Sequence, residues 1–153
     1  ATAAGCQLVG TCDLAVAVEG ARFGVSGINV GLFCTTPGVA LARNVGRKEA
    51  FEMLVTGDLI DAQTARERGL VNRVVAADQL DAEIAKLAAS IVAKPAIAIA
   101  MGTERFYRQV EAGTEAAYQM AGQTMACNLV DPAAQEGIDA FMAKRKPNWA
   151  PPA

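Results

Sequence analysis

Apolar positions follow two different rhythms along this chain. Up to about residue 76, short apolar runs are interrupted by glycine and polar turns, and from Asp78 onward apolar residues recur every three or four positions, as amphipathic helices require. The first part predicts a helix over residues 4–11 and a strand over 14–18. Next comes a glycine-rich zone from Gly20 to Gly38, read as short strands and pocket-forming loops. Pro37 and Gly38 open a short helix ending near Gly46, and residues 47–55 form another, with Ala50, Phe51 and Leu54 on one face. In the second part Asp78 is placed as the cap of a long helix carrying Leu80, Ile84, Leu87, Ala88 and Ile91 at helical spacing. One further helix starts at Pro95 and one covers about 114–128. The last opens with the cap-and-proline pair Asp131-Pro132 and runs to Lys146, with Lys144, Arg145 and Lys146 in its final turn, where cations favour the helix dipole.

Between the two rhythms lies the most informative stretch, residues 56–71. Gly57 opens a turn and Asp61 caps a helix that sets Ala62 and Ala65 on one face. Gly69 ends that helix because it takes the left-handed conformation at little cost, and a strand follows from Leu70 and Val71 to Val75.

Composition narrows the class. Of 153 residues, 52% are hydrophobic and 20% charged, which suits a folded core. The net charge of −2 and the scattered Lys and Arg give no basic stripe, which argues against a nucleic-acid partner. There is no histidine, and Cys6, Cys12, Cys34 and Cys127 contain no Cys-x-x-Cys pair. The usual zinc geometries and histidine-based triads are therefore excluded, no metal is expected, and the four cysteines read as buried reduced thiols. No apolar run reaches membrane-spanning length, and the first residues lack the charged lead and apolar core of a signal peptide, so the expectation is a cytoplasmic protein without membrane contact.

The pattern T-G-D-x-I-x-A-x-x-A-x-x-x-G-L-V over residues 56–71 resembles a signature of the crotonase, or enoyl-CoA hydratase/isomerase, superfamily. Further matches are Ala4-Gly5-Cys6-Gln7-Leu8 with Cys12-Asp13-Leu14, Arg22-Phe23-Gly24, Gly46-Arg47, and Glu136-Gly137 with Ala140-Phe141 and Lys144-Arg145-Lys146. Gln in Ala-Ala-Gly-Cys-Gln-Leu and the run Gly-Leu-Phe-Cys-Thr-Thr-Pro-Gly-Val-Ala-Leu-Ala-Arg are most similar to one branch of that superfamily, named from its fold more than from a defined reaction. The resemblance implies an α/β fold. Residues 1–76 would be the second half of a crotonase-like (ClpP/crotonase) spiral core, with the acyl pocket. Residues 77–153 would be a helical C-terminal trimerisation region that also contacts coenzyme A. The family's first half, which supplies a second oxyanion amide and adenine contacts, has no counterpart here.

It also implies chemistry. Family members polarise an acyl-CoA carbonyl with two backbone N–H groups, one at a helix N-terminus, and Ala4 holds that position here with Gly5 beside it. Hydratases add a carboxylate pair that holds and splits water. Those positions are Gln7, whose amide orients but does not exchange protons, and Gly27, which offers no side chain. No Asp or Glu occurs between Gly20 and Lys48. Ser26, Asn29 and Cys34 supply polar groups in the pocket zone, with Cys34 read as a space-filling thiol rather than a nucleophile. Phe141 and Lys144 match coenzyme A contacts, the one offering a surface to adenine and the other a charge to phosphate. No tightly bound cofactor is expected, since coenzyme A arrives as part of the substrate. The implied assembly is a homotrimer or a dimer of trimers. Three readings stay open: an acyl-CoA enzyme of hydratase/isomerase type, a non-catalytic acyl-CoA binder, and a structural fragment serving assembly.

Overall fold

The computed structural model describes residues 1–149, and the last four residues of the helical region expected over 77–153 lie outside that range. The chain divides into two compact units, Ala1–Lys86 and residues 87 onward.

The first unit wraps short strands and helices around a small apolar core. Helix α1 spans Ala4–Thr11, strand β1 Val16–Val18, strand β2 Arg22–Phe23, and a 3-10 turn covers Ser26–Val30. Helices α2 (Thr35–Asn44) and α3 (Arg47–Thr56) follow, then β3 (Ile60–Asp61), α4 (Ala62–Glu67) and β4 (Arg73–Val75). β1 pairs in parallel with β4, Ala17 opposite Val74, and β2 pairs antiparallel with β3, Phe23 opposite Ile60. Parallel neighbours cannot be joined by a tight turn, and the crossover here carries all the intervening helices. Asn72 fixes the β1–β4 register from outside the strands. Its backbone N–H donates to Ala15 O at 2.9 Å while its Oδ1 accepts from Ala15 N at 2.7 Å.

The core gathers Cys6, Val25, Leu41, Met53, Ala65 and Leu70. α1 and α2 pack backbone to backbone: a methyl on Gly10 would stand 3.3 Å from the Ala40 side chain. Asn44 ties this contact by donating to Gly10 O at 2.7 Å and Ala40 O at 2.8 Å. The stretch 56–71 follows its expected chemistry. Gly57 closes α3 with φ +71°, Asp61 accepts from Thr64 N at 2.7 Å, Ala62 and Ala65 are buried, and Gly69 has φ +85°.

Other details depart from expectation for identifiable reasons. On α3, Met53 joins Ala50 and Leu54 inside while Phe51 is 60% exposed, because the buried face of this helix runs 50, 53, 54. α2 starts two residues before Pro37, and Pro37 sits in its first turn, where a missing N–H costs nothing. Leu70 and Val71 are core residues that precede β4 instead of starting it. Cys12 and Cys127 are exposed, so only Cys6 and Cys34 are the buried thiols expected, and all four are unpaired with each other.

In the second unit, α5 (Leu80–Val92) runs in from the first unit, and α6 (Ala96–Val110), α7 (Thr114–Leu129) and α8 (Pro132–Met142) complete it. α5 is entered through a 3-10 turn, Ala77–Gln79, with Asp78 inside the turn rather than at a capping position. Arg105 Nε donates to Thr124 Oγ1 at 2.8 Å, linking α6 to α7. Asp131 caps α8 as expected, its carboxylate accepting from Ala133 N at 2.8 Å. That helix ends at Met142, however, and Lys144 has φ +52°, so residues 144–146 lie beyond the last turn and not within it.

The reason is a clamp. Arg145 donates two bonds to Glu136, 2.6 Å to Oε1 and 2.9 Å to Oε2, and Asn148 N donates a third at 2.6 Å. These donors, the Arg145 guanidinium foremost, hold the Glu136 carboxyl down at about 2. The returning segment lays Trp149 over Gly137, where a methyl would meet the ring at 3.2 Å, and Trp149 Nε1 donates to Ala133 O at 2.9 Å. Ala140 beneath is fully buried. The E-G-x-x-A-F-x-x-K-R-K ending is thus a folding motif for this return.

Candidate functional site

The start of α1 is where backbone strain concentrates in the first unit. Ala3, the residue before the helix, has φ +46° and ψ −117°, a conformation a residue with a Cβ seldom takes. Both of its backbone groups are pinned: its N–H donates to Gly24 O at 2.9 Å, and its carbonyl accepts from Gln7 N at 2.9 Å. Gly5 N and Cys6 N both turn back to Thr2 O, at 2.8 and 3.3 Å. The Ala4 N–H alone among these amides donates to no group among the described residues. It stands at the positive end of an eight-residue helix, in an exposed position.

Gln7 follows one turn later, half-buried, its carbonyl accepting from Thr11 Oγ1 at 2.8 Å. Cys6 beside it is fully buried, and burial pushes its thiol upward, against a smaller opposing contribution from the Gly24 backbone. Cys6 and Cys34 are both members of the buried apolar core. Cys34 in turn lies against Gly27. A Cβ built on Gly27 would stand 2.7 Å from Cys34 Sγ and 2.5 Å from Leu32 O, closer than real carbon contacts come. Ser26 opens the 3-10 turn that carries Gly27, half-buried. Asn29, exposed in the same turn, lays its amide over Gly57, where a methyl would meet Nδ2 and Oδ1 at 2.9 Å. Gly5 is exposed and has room, its nearest neighbour being Ala1 Cβ at 3.8 Å.

The structure therefore sets Cys34 against Gly27, and it places Cys34 in the same core as Cys6, the α1 residue between Ala4 and Gln7 in sequence. Phe141 and Lys144 belong to the second unit. Phe141 is 81% exposed and lines a cleft of about 370 Å³ with Pro95, Ala98, Ile138 and Trp149, and Lys144 is exposed just past α8. Sequence reasoning missed Ala3, Leu32 and Trp149. Nothing in the residue types pointed to the backbone of Ala3 or to Leu32. Among the described residues no three His, Cys, Asp or Glu side chains cluster as a metal site would need, and no single helix is long and apolar enough to cross a membrane.

The arrangement can present one backbone donor to a carbonyl oxygen that gains negative charge, with a neutral amide nearby. It places no carboxylate at either position 7 or position 27.

Comparison with known proteins agrees with this reading of the fold. The enoyl-CoA hydratase/isomerase family pattern matches residues 1–152. Mouse enoyl-CoA hydratase domain-containing protein 3, a mitochondrial protein by name, is 49% identical over 150 residues, covering 98% of this chain and 50% of its own length. A solved structure of an enoyl-CoA hydratase from Mycobacterium smegmatis is 65% identical, with a TM-score of 0.95 over 97% of this chain and 58% of that one. Human enoyl-CoA hydratase domain-containing protein 3 superposes with a TM-score of 0.93 at 48% identity, over 97% of this chain and 59% of that structure. The chain spans about half the length of the curated relatives it matches. Relatives from mouse, rat and human are all named mitochondrial, which overturns the cytoplasmic expectation. An address segment is separable from the fold, and the apolar patterning of folded elements carries no information about it.

Proposed function

The chain belongs to the enoyl-CoA hydratase/isomerase, or crotonase, family and to its domain-containing protein 3 branch, and from that premise we propose that it binds acyl-CoA thioesters and polarises their carbonyl with the Ala4 N–H. The observation that carries this is the unpartnered Ala4 amide at the start of α1, set by a strained Ala3 whose own backbone groups are both engaged. A donor held in place before the substrate arrives needs no reorganisation as charge develops on oxygen. Gly5 leaves the approach open, and Ser26 and Cys34 line the acyl side. Within the second unit, Phe141 offers an apolar surface and Lys144 a charge of the kind that suits adenine and phosphate.

A second reading, binding without water addition, is favoured by a specific observation. Gln7 and Gly27 occupy the two glutamate positions, and neither exchanges a proton at neutral pH. Hydration needs one group to take a proton from water and another to deliver one to carbon. Self-assembly as a trimer or a dimer of trimers is part of the proposal. α5, α6 and α7 bury no residue within this chain, and Phe106, Tyr118, Met125 and Leu129 leave apolar surface for a partner to cover.

Calorimetric titration with crotonyl-CoA, with the conjugated thioester absorbance followed in the same sample, tests the proposal. Saturable heat without loss of absorbance is the expected result; no heat at any concentration would remove the binding reading.

A further inference from the structure

We propose that the segment Leu32–Cys34 is a specificity element that closes position 27 to any side chain and so reserves the site for thioester chemistry other than water addition. This rests on the acyl-CoA reading given above, but its structural part stands separately. The two groups that meet a Cβ at position 27 are poor candidates to move aside. One is a backbone oxygen, Leu32 O at 2.5 Å, and the other is Cys34 Sγ at 2.7 Å, the short side chain of a buried residue.

The backbone between them is fixed at several points. Leu32 N donates back to Gly27 O at 3.0 Å and Gly31 N to Ile28 O at 3.0 Å, with Gly31 at φ +79°. Thr35 N donates to Phe33 O at 2.8 Å and Gly38 N to Cys34 O at 3.0 Å, joining the segment to the first turn of α2. These bonds hold the chain on either side of Leu32 O, at Leu32 N and at Phe33 O, so moving that oxygen away from position 27 disturbs a bonded turn. Cys34 belongs to the same buried apolar core as Cys6.

It follows that Gly27 is more than a lost acid. The space the first carbon of any side chain would use is already taken by Leu32 O and Cys34 Sγ, so a glutamate returned here must displace them. Gln7→Glu alone supplies one carboxylate, which can serve as base or as acid but not as both members of the pair. The site then suits reactions, or binding alone, in which the polarised carbonyl is the whole of the activation.

The test has two arms on the same protein. The first is an unfolding cycle of the parent, Gly27→Ala, Cys34→Ala and the double variant. Gly27→Ala is expected to lower the urea midpoint, and Cys34→Ala in that background to recover part of the loss, a coupling that two separate sites would not show. An unchanged midpoint for Gly27→Ala, or strict additivity, would overturn the closure of position 27. The second arm compares crotonyl-CoA hydration by Gln7→Glu and Gln7→Glu/Gly27→Glu. Equal background rates are expected, whereas a gain of roughly 10²-fold or more in the double variant, the contribution a working acid–base group makes, would overturn the proposal. Loss of crotonyl-CoA binding in the parent itself would remove the acyl-CoA reading, and the unfolding cycle would still decide the closure.

Discussion

Replacing Ala3 by glycine should stabilise the protein, although glycine near a helix usually does the reverse. Ala3 holds φ +46° and ψ −117° at the entrance of α1, and residues forced into such regions cost about 1–3 kcal/mol. Glycine takes this conformation freely but adds unfolded-state entropy worth about 0.4–1 kcal/mol. The difference favours Ala3→Gly by about 1 kcal/mol, which for a chain of this size raises the thermal midpoint by about 2–4 °C. The neighbour provides the control. Ala4 is helical, its side chain is exposed, and Ala4→Gly should cost about 0.5–1 kcal/mol. Two adjacent Ala→Gly changes of opposite sign, measured by calorimetry and by urea unfolding, are the signature of stored strain. If both variants lose stability equally, Ala3 is not strained and the account of how the Ala4 N–H is held apart fails.

Leu41, fully buried on α2, should cost about 2–5 kcal/mol on conversion to alanine, read as a lower urea midpoint with an unchanged slope. Asn44→Ala removes one bond that joins α2 to α1 and one within α2, and should cost about 1–2 kcal/mol by the same assay. The Glu136–Arg145 clamp makes a pH prediction. Because Glu136 is held down at about 2 in the folded chain against an ordinary value of 4.5, its contribution is fully present above 4.5 and is lost as pH falls toward 2. Glu136→Gln should therefore unfold at a lower temperature than the parent at pH 6, with the gap narrowing steadily below pH 4.5. Asp61→Asn should behave alike at the start of α4, since bonds from Thr64 hold that carboxyl below its usual range.

The sequence was most readable where local chemistry alone decides the structure. Asp61, Gly57, Gly69 and the Asp131-Pro132 pair each do what their residue type favours, and α1 spans the residues expected. Readings failed where distant contacts override local preference. The cations after α8 looked like dipole partners until Arg145 was found bound to Glu136, nine residues back. Phe51 looked like core because spacing defines a face without saying how much of it a neighbour covers. At the site, the family motif is what points to Ala4, Gln7 and Gly27. The strain at Ala3 and the pressure of Leu32 O on position 27 were not, since both arise from backbone geometry that no residue type records.

The central claim is that a backbone donor at the start of α1 polarises an acyl-CoA carbonyl. The most direct measurement is the infrared carbonyl stretch of a bound acyl-CoA carrying a carbon-13 label at the thioester carbon. A shift to lower frequency on binding, kept in Gln7→Ala, is the result this structure predicts. A bound thioester whose stretch matches that in water would contradict it.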